Sequence, residues 1–230
     1  MRIPILGYHK VGESATFGRR LNIEPERLES HVRFFARRGC EFVRVRDLAD
    51  EWHPKRVAFT FDDGFQGAVE LGLPCLTRHG GVGTVYVVTD LVGATSTWPG
   101  ENAYPLAGWE ALRAAAANGH EVGNHTRTHA RLGELSPELQ RDEIAGAAVA
   151  LAREGLEGGS FCLPYGSSSD ETRGVLEECG VKVCVTIRKA IARDTDDRLA
   201  LPRVFVAYGD ALPLLLYRLY LRPLIPRRRK

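Results

Sequence analysis

Val57-Ala58-Phe59-Thr60-Phe61-Asp62-Asp63-Gly64 reads as a short strand that runs without a spacer into a turn. The first five residues favour a pleated, buried backbone, and the acidic pair followed by glycine supplies turn chemistry. Two carboxylates therefore stand at a strand's carboxyl end. Working outward, similar runs recur near Ile3 to Tyr8, Glu41 to Val45, Thr84 to Val88, Glu121 to Asn124, Ser160 to Leu163, Lys182 to Thr186 and Arg203 to Val206. Helical patterns separate them. Pro25 to Arg38 carries Leu28, Val32, Phe35 and Ala36 on one face, and Pro105 to Asn118 and Pro137 to Arg153 begin with a first-turn proline. Ser136 is an expected N-cap, and Gly39, Gly119 and Gly180 are expected to close helices in the left-handed conformation. Alternation of this kind marks βαβ units around a parallel sheet. It predicts an α/β fold, an irregular (β/α) barrel of about seven strands, and such barrels place their chemistry at the carboxyl ends of the strands.

The chain has 230 residues, 44% of them apolar and 26% charged, with 24 Gly and 12 Pro, which fits one folded domain and excludes disordered, collagenous and fibrous classes. Its formal charge of +2 is uneven. After Asp210 come six basic residues and no acidic one, so residues 1–210 hold four more acids than bases. A body so charged is not built to grip a polyanion, and nucleic acid is not an expected partner. Five scattered cysteines without a C-x-x-C pair read as reduced, buried thiols. The first residues lack a signal-peptide core, and no apolar run reaches the roughly 20 residues that span a bilayer. A cytoplasmic protein is expected. Residues 1–210 are expected to form the catalytic domain. Residues 211–230, apolar with a basic end, are expected to add its last helix. An interfacial segment touching the inner face of a membrane is the alternative for that tail.

Three segments carry chemistry. Asp62 and Asp63 would repel each other unless a cation intervened, so one could hold a metal while the other works beside it. His125 and His129 stand four residues apart after another predicted strand, a spacing that on a helical turn points both imidazoles to one side. Two histidines and a carboxylate leave coordination positions open, as catalytic metal sites do. Phe161-Cys162-Leu163-Pro164-Tyr165-Gly166 is a third strand entering a rigid turn, able to aim a backbone N–H at an oxyanion. Singly, each has a plainer reading as a turn, a chance pair or a tight connection.

Together, and in this order, Thr60 to Gly64, His125 to His129 and Phe161 to Gly166 resemble the first three motifs of the polysaccharide deacetylases, carbohydrate esterase family four. The resemblance implies that Asp62 is the general base, that Asp63, His125 and His129 hold a divalent metal, most often zinc with cobalt, nickel or manganese as alternatives, and that Tyr165 lends its backbone N–H to the oxyanion. Cys162 stands where that family often has an arginine orienting the base, and Arg203 is the candidate substitute. No histidine follows His129, so the acid that protonates the leaving amine must come from earlier. His9, ending the first predicted strand after Tyr8, resembles the Tyr-His motif of the circularly permuted, poly-N-acetylglucosamine deacetylase branch. The implied reaction is metal-dependent removal of an N-acyl group, chiefly N-acetyl, from an amino sugar, an oligosaccharide or a nucleotide- or lipid-linked sugar. The alternatives are a carbohydrate-binding barrel without turnover and a hydrolase of other linear or cyclic amides. His31, His53 and His79 are expected at the surface, and His120 on the face opposite His125.

Overall fold

The computed structural model describes residues 1–96, 98 and 102–222. Eight strands form the main sheet: β1 (Ile5–Tyr8), β2 (Glu41–Val43), β3 (Arg56–Phe61), β4 (Thr84–Val87), β5 (Glu121–Asn124), β6 (Phe161–Cys162), β7 (Cys184–Lys189) and β8 (Leu201–Phe205). They pair in the order β1-β8-β7-β6-β5-β4-β3-β2, and β1 also pairs with β3, which closes seven of them into a parallel barrel. β2 lies against the first half of β3, with Glu41 opposite Arg56, and β4 joins β3 higher up, with Thr60 opposite Thr84. The expected irregularity is present. β6 is two residues long and meets β5 only at Asn124 opposite Phe161, and the β7–β8 register breaks between Val185 and Lys189.

All six residues of β3 are buried, as a parallel strand covered on both faces requires. Val57, Phe59 and Phe61 join the larger apolar cluster with Leu28, Val32 and Phe35 of α1 (Pro25–Ala36), while Ala58 joins a second cluster with Ile5, Tyr86, Val185 and Leu201. The alternation thus assigns one face of the strand to the helices and the other to the barrel interior. Further helices are α2 (Leu73–Arg78), α3 (Trp109–Ala117), α4 (Pro137–Arg153), α5 (Thr172–Glu178) and α6 (Leu212–Leu216), and a single turn at Ser14–Phe17 precedes α1. Ser136 caps α4 by accepting a bond from the Leu139 N–H. Gly39, Gly119 and Gly180 take φ values of 65°, 86° and 74°, the left-handed closures expected of them.

Some expectations need correction. The third helix starts at Trp109, not Pro105, because Pro105 and Leu106 are held in β-bridges to Thr95 and Phe65. His31 is not on the surface. It is fully buried in α1, where it meets the Tyr8 hydroxyl through Nδ1 at 3.0 Å, and burial lowers its pKa to about 4. His79 is half-buried and bonds Glu29 at 2.5 Å. His120 is pinned at the barrel's amino end, its Nδ1 accepting from the Gly83 N–H at 3.1 Å. In the tail, Leu215 and Leu219 are buried in the larger core cluster, and Arg218 pairs with Asp210. Its last basic residues, Arg227 to Lys230, lie outside the described residues. No helix among the described residues is long and apolar enough to cross a membrane.

Candidate active site

Asp62 and Asp63 leave β3 in opposite company. Asp63 adopts φ 71° and Gly64 φ 74°, and this left-handed turn gives the two adjacent carboxylates different partners. Asp62 faces Arg203 of β8, whose Nη1 and Nη2 reach its two oxygens at 2.6 and 2.7 Å. Asp63 faces the histidines, with His125 Nε2 and His129 Nε2 each 3.3 Å from Oδ1. The Trp98 indole N–H donates to its other oxygen at 3.2 Å.

The two histidines are brought together by a loop and not by the helical turn expected from their spacing. Thr126 and His129 take φ values of 67° and 66°. The Asn124 side chain accepts from the Thr126 N–H, the Thr126 hydroxyl accepts from the His129 N–H, and Glu143 of α4 accepts from the Arg127 and Thr128 N–H groups. Tyr165, in the turn after β6, is also left-handed at φ 57°. Of the six non-glycine residues with positive φ among the described residues, Asp63, Thr126, His129 and Tyr165 surround this one centre. Each such conformation costs on the order of 1–3 kcal/mol and is retained where the surroundings impose it.

Asp63, His125 and His129 offer ligand atoms that all lie within 4.8 Å of one another. The donor set fits a divalent cation with open positions. His125 Nδ1 bonds the Cys162 carbonyl at 2.7 Å, so Nδ1 carries the proton and Nε2 presents its lone pair to the centre. His129 Nδ1 meets the Tyr165 hydroxyl at 3.1 Å, and Trp98 stacks on its ring at 4.0 Å between centres. Burial raises the pKa of the Asp63 carboxyl, but the two histidines more than reverse this and hold it well below its usual value. At Asp62 burial again raises and the Arg203 charge prevails, leaving the carboxyl ionised.

His9 follows β1 and comes to the same rim. Its Nε2 is 3.9 Å from Asp62 Oδ2, and its buried Nδ1 has no partner among the described residues. The six site residues singled out in the sequence, together with Arg203, therefore converge. Trp98 and the Cys162 carbonyl were not singled out. Trp98 sits in a loop without periodicity, and a carbonyl has no sequence signature.

A family model for polysaccharide deacetylases matches residues 49–184. The chain belongs to that family. YxkH of Bacillus subtilis (strain 168), named for the same family, is 24% identical over 215 residues, covering 90% of this deacetylase and 72% of its own length. The fold is similar to that of the Streptococcus pyogenes deacetylase PplD in complex with acetate, with a TM-score of 0.81, 22% identity and coverage of 98% of this chain and 99% of that one. It is similar also to IcaB from Ammonifex degensii, with a TM-score of 0.77, 24% identity and coverage of 89% and 91%. The matched span holds both aspartates, both histidines and Tyr165 of the deacetylase. His9 and Arg203 lie outside it, so the two ends of the chain complete the centre.

Proposed function

We propose that this deacetylase removes the N-acetyl group from an amino sugar in a glycan or glycan precursor by metal-assisted hydrolysis. The observation that carries this reading is the division of labour between adjacent carboxylates: Asp63 shares a ligand cluster with His125 and His129, while Asp62 is clamped by Arg203 and faces His9. Zinc is the proposed metal, with cobalt, nickel or manganese able to replace it. Asp63, His125 and His129 would hold the cation, which when bound would supply a water of lowered pKa and polarise the acyl oxygen.

Asp62 takes the proton of the attacking water, since Arg203 keeps it ionised and oriented. The Tyr165 backbone N–H, set by its left-handed turn, donates to the oxyanion. His9 donates a proton to the departing amine, without which a poor leaving group stalls. Its buried, unpartnered Nδ1 is consistent with a ring held for work and not for packing. Peripheral membrane contact by the tail is a further part of the proposal, supported by Leu214, Tyr217 and Leu221, which stay exposed on a segment that also carries Arg218 and Arg222.

Acetate release from a panel of N-acetylated sugars tests the activity, and His9→Ala tests the acid. The variant should keep its metal and lose most turnover on an acetamide. Near-normal turnover would remove His9 from the mechanism.

A further inference from the structure

A cavity of about 920 Å³ is bounded by the end of β7, the segment that follows it, the end of β8 and the tail. Arg2, Arg188, Lys189, Arg193, Arg218 and Arg222 line it, against one lining acid, Asp196. Arg218 is neutralised by Asp210, and Arg188 reaches Asp196 at 3.4 Å. Arg2, Lys189, Arg193 and Arg222 form no ion pair among the described residues. Four of these six cations, Arg2, Arg188, Lys189 and Arg193, belong to residues 1–210, a stretch that is net acidic, and Arg218 and Arg222 belong to the tail. Tyr208 and Tyr217, 60% and 40% exposed, add two aromatic faces to the same wall.

The cavity and the reacting centre share Phe205. Its ring centre is 6.2 Å from that of His9, and the Arg203 guanidinium packs over it at 4.7 Å. A molecule filling the cavity would touch Phe205, the residue beside which the His9 ring lies. Cations gathered on a concave wall repel one another, and an anion of more than one charge relieves that repulsion while gaining from the focused potential. Arginine forks match phosphate oxygens in pairs, and the tyrosine faces suit the apolar face of a sugar ring. The volume is that of a small-molecule site.

We propose that this cavity binds a phosphate or pyrophosphate carried by the substrate, so that the sugar deacetylated is a phosphate-bearing amino-sugar conjugate and not a neutral glycan. What happens at His9 rests on the deacetylation reading above. The anion site does not, and it can be tested without turnover.

The test is calorimetric titration of inorganic pyrophosphate into the intact protein and into Lys189→Glu/Arg193→Glu, a pair of exposed positions outside the catalytic centre. Binding should weaken about tenfold or more in the double variant and fall with added salt. No binding, or equal binding by both proteins, overturns the proposal. In acetate-release assays, KM for N-acetylglucosamine 1-phosphate should lie below that for N-acetylglucosamine, and the double variant should raise only the former, with kcat unchanged. Equal KM values for the two sugars would also overturn it. Nucleoside-diphosphate and polyprenyl-phosphate forms of the same sugar, compared in the same assay, identify which source carries the phosphate. A single-stranded oligonucleotide bound more tightly than pyrophosphate would overturn the proposal in favour of nucleic acid. Absence of any acetate release alongside pyrophosphate binding lost in the double variant would instead strike at the deacetylation reading, with the anion site upheld.

Discussion

Arg203 grips both oxygens of Asp62 from across the barrel, and every N–H of its guanidinium has a partner. Nη1 donates to Asp62 and to the Thr60 hydroxyl, Nη2 to Asp62 and to Cys162 Sγ, and Nε to the Thr186 carbonyl. A fully buried arginine is tolerable only when paired and satisfied in this way. Removing it leaves a buried carboxylate alone. Arg203→Ala should lose about 3–5 kcal/mol of stability. Arg203→Lys keeps the charge without the fork, so it should lower kcat more than it alters KM. Urea unfolding and steady-state kinetics check both, and a stable, fully active Arg203→Lys would show that orientation of Asp62 is unimportant.

The short side chain of Cys162 makes room for this arrangement, since its sulfur lies 3.1 Å from Arg203 Nη2. Cys162→Ala removes a weak acceptor and should cost about 1 kcal/mol with activity largely retained. Cys162→Arg forces a second guanidinium into the occupied space and should abolish folding or turnover. The pair of variants is compared by thermal melts and acetate release. Activity preserved in Cys162→Arg would mean that either position can supply the clamp.

The adjacent aspartates should fail differently. Asp63→Asn should lose bound metal and activity together, whereas Asp62→Asn should lose activity by about 100-fold or more while keeping its metal. Metal analysis of the purified variants separates the two. Equal metal loss in both would put Asp62 among the ligands.

Two buried histidines set a pH limit on stability. Burial lowers both His31 and His120 from 6.5 to about 4. Between those values the unfolded chain binds the proton and the native one does not, so stability falls as pH drops from 6.5 towards 4, by up to ~1.4 kcal/mol per pH unit for each group. His31→Gln should flatten the dependence by about one proton, measured by urea unfolding at several pH values. An unchanged slope would show that His31 titrates alike in both states.

The barrel was legible because most of its strands are largely buried and so appear as short, mainly apolar runs, Val57 to Phe61 above all. The centre was legible because Asp62, Asp63, His125, His129 and Tyr165 follow those runs directly. The geometry joining them was less so. The spacing of His125 and His129 implied a helical turn, but hydrogen bonds from backbone N–H groups to the side chains of Asn124, Thr126 and Glu143 impose a left-handed loop that no local periodicity reports. The burial of His31 did have a signal, since it falls in register with Leu28, Val32 and Phe35 on the inner face of α1. Its partner Tyr8 lies 23 residues away in sequence, and that contact could only be seen in the fold. The basic cavity is of the same kind, assembled from Arg2, the end of β7 and the tail.

Hydrolysis of an N-acetylated sugar at this centre should depend on a metal held by Asp63, His125 and His129. Acetate release from such a sugar, followed before chelation, after it and after zinc is returned, tests it most directly. Activity should be lost on chelation and restored by zinc in the parent protein, with no restoration in Asp63→Asn. Acetate release that continues undiminished in the chelated protein would contradict it.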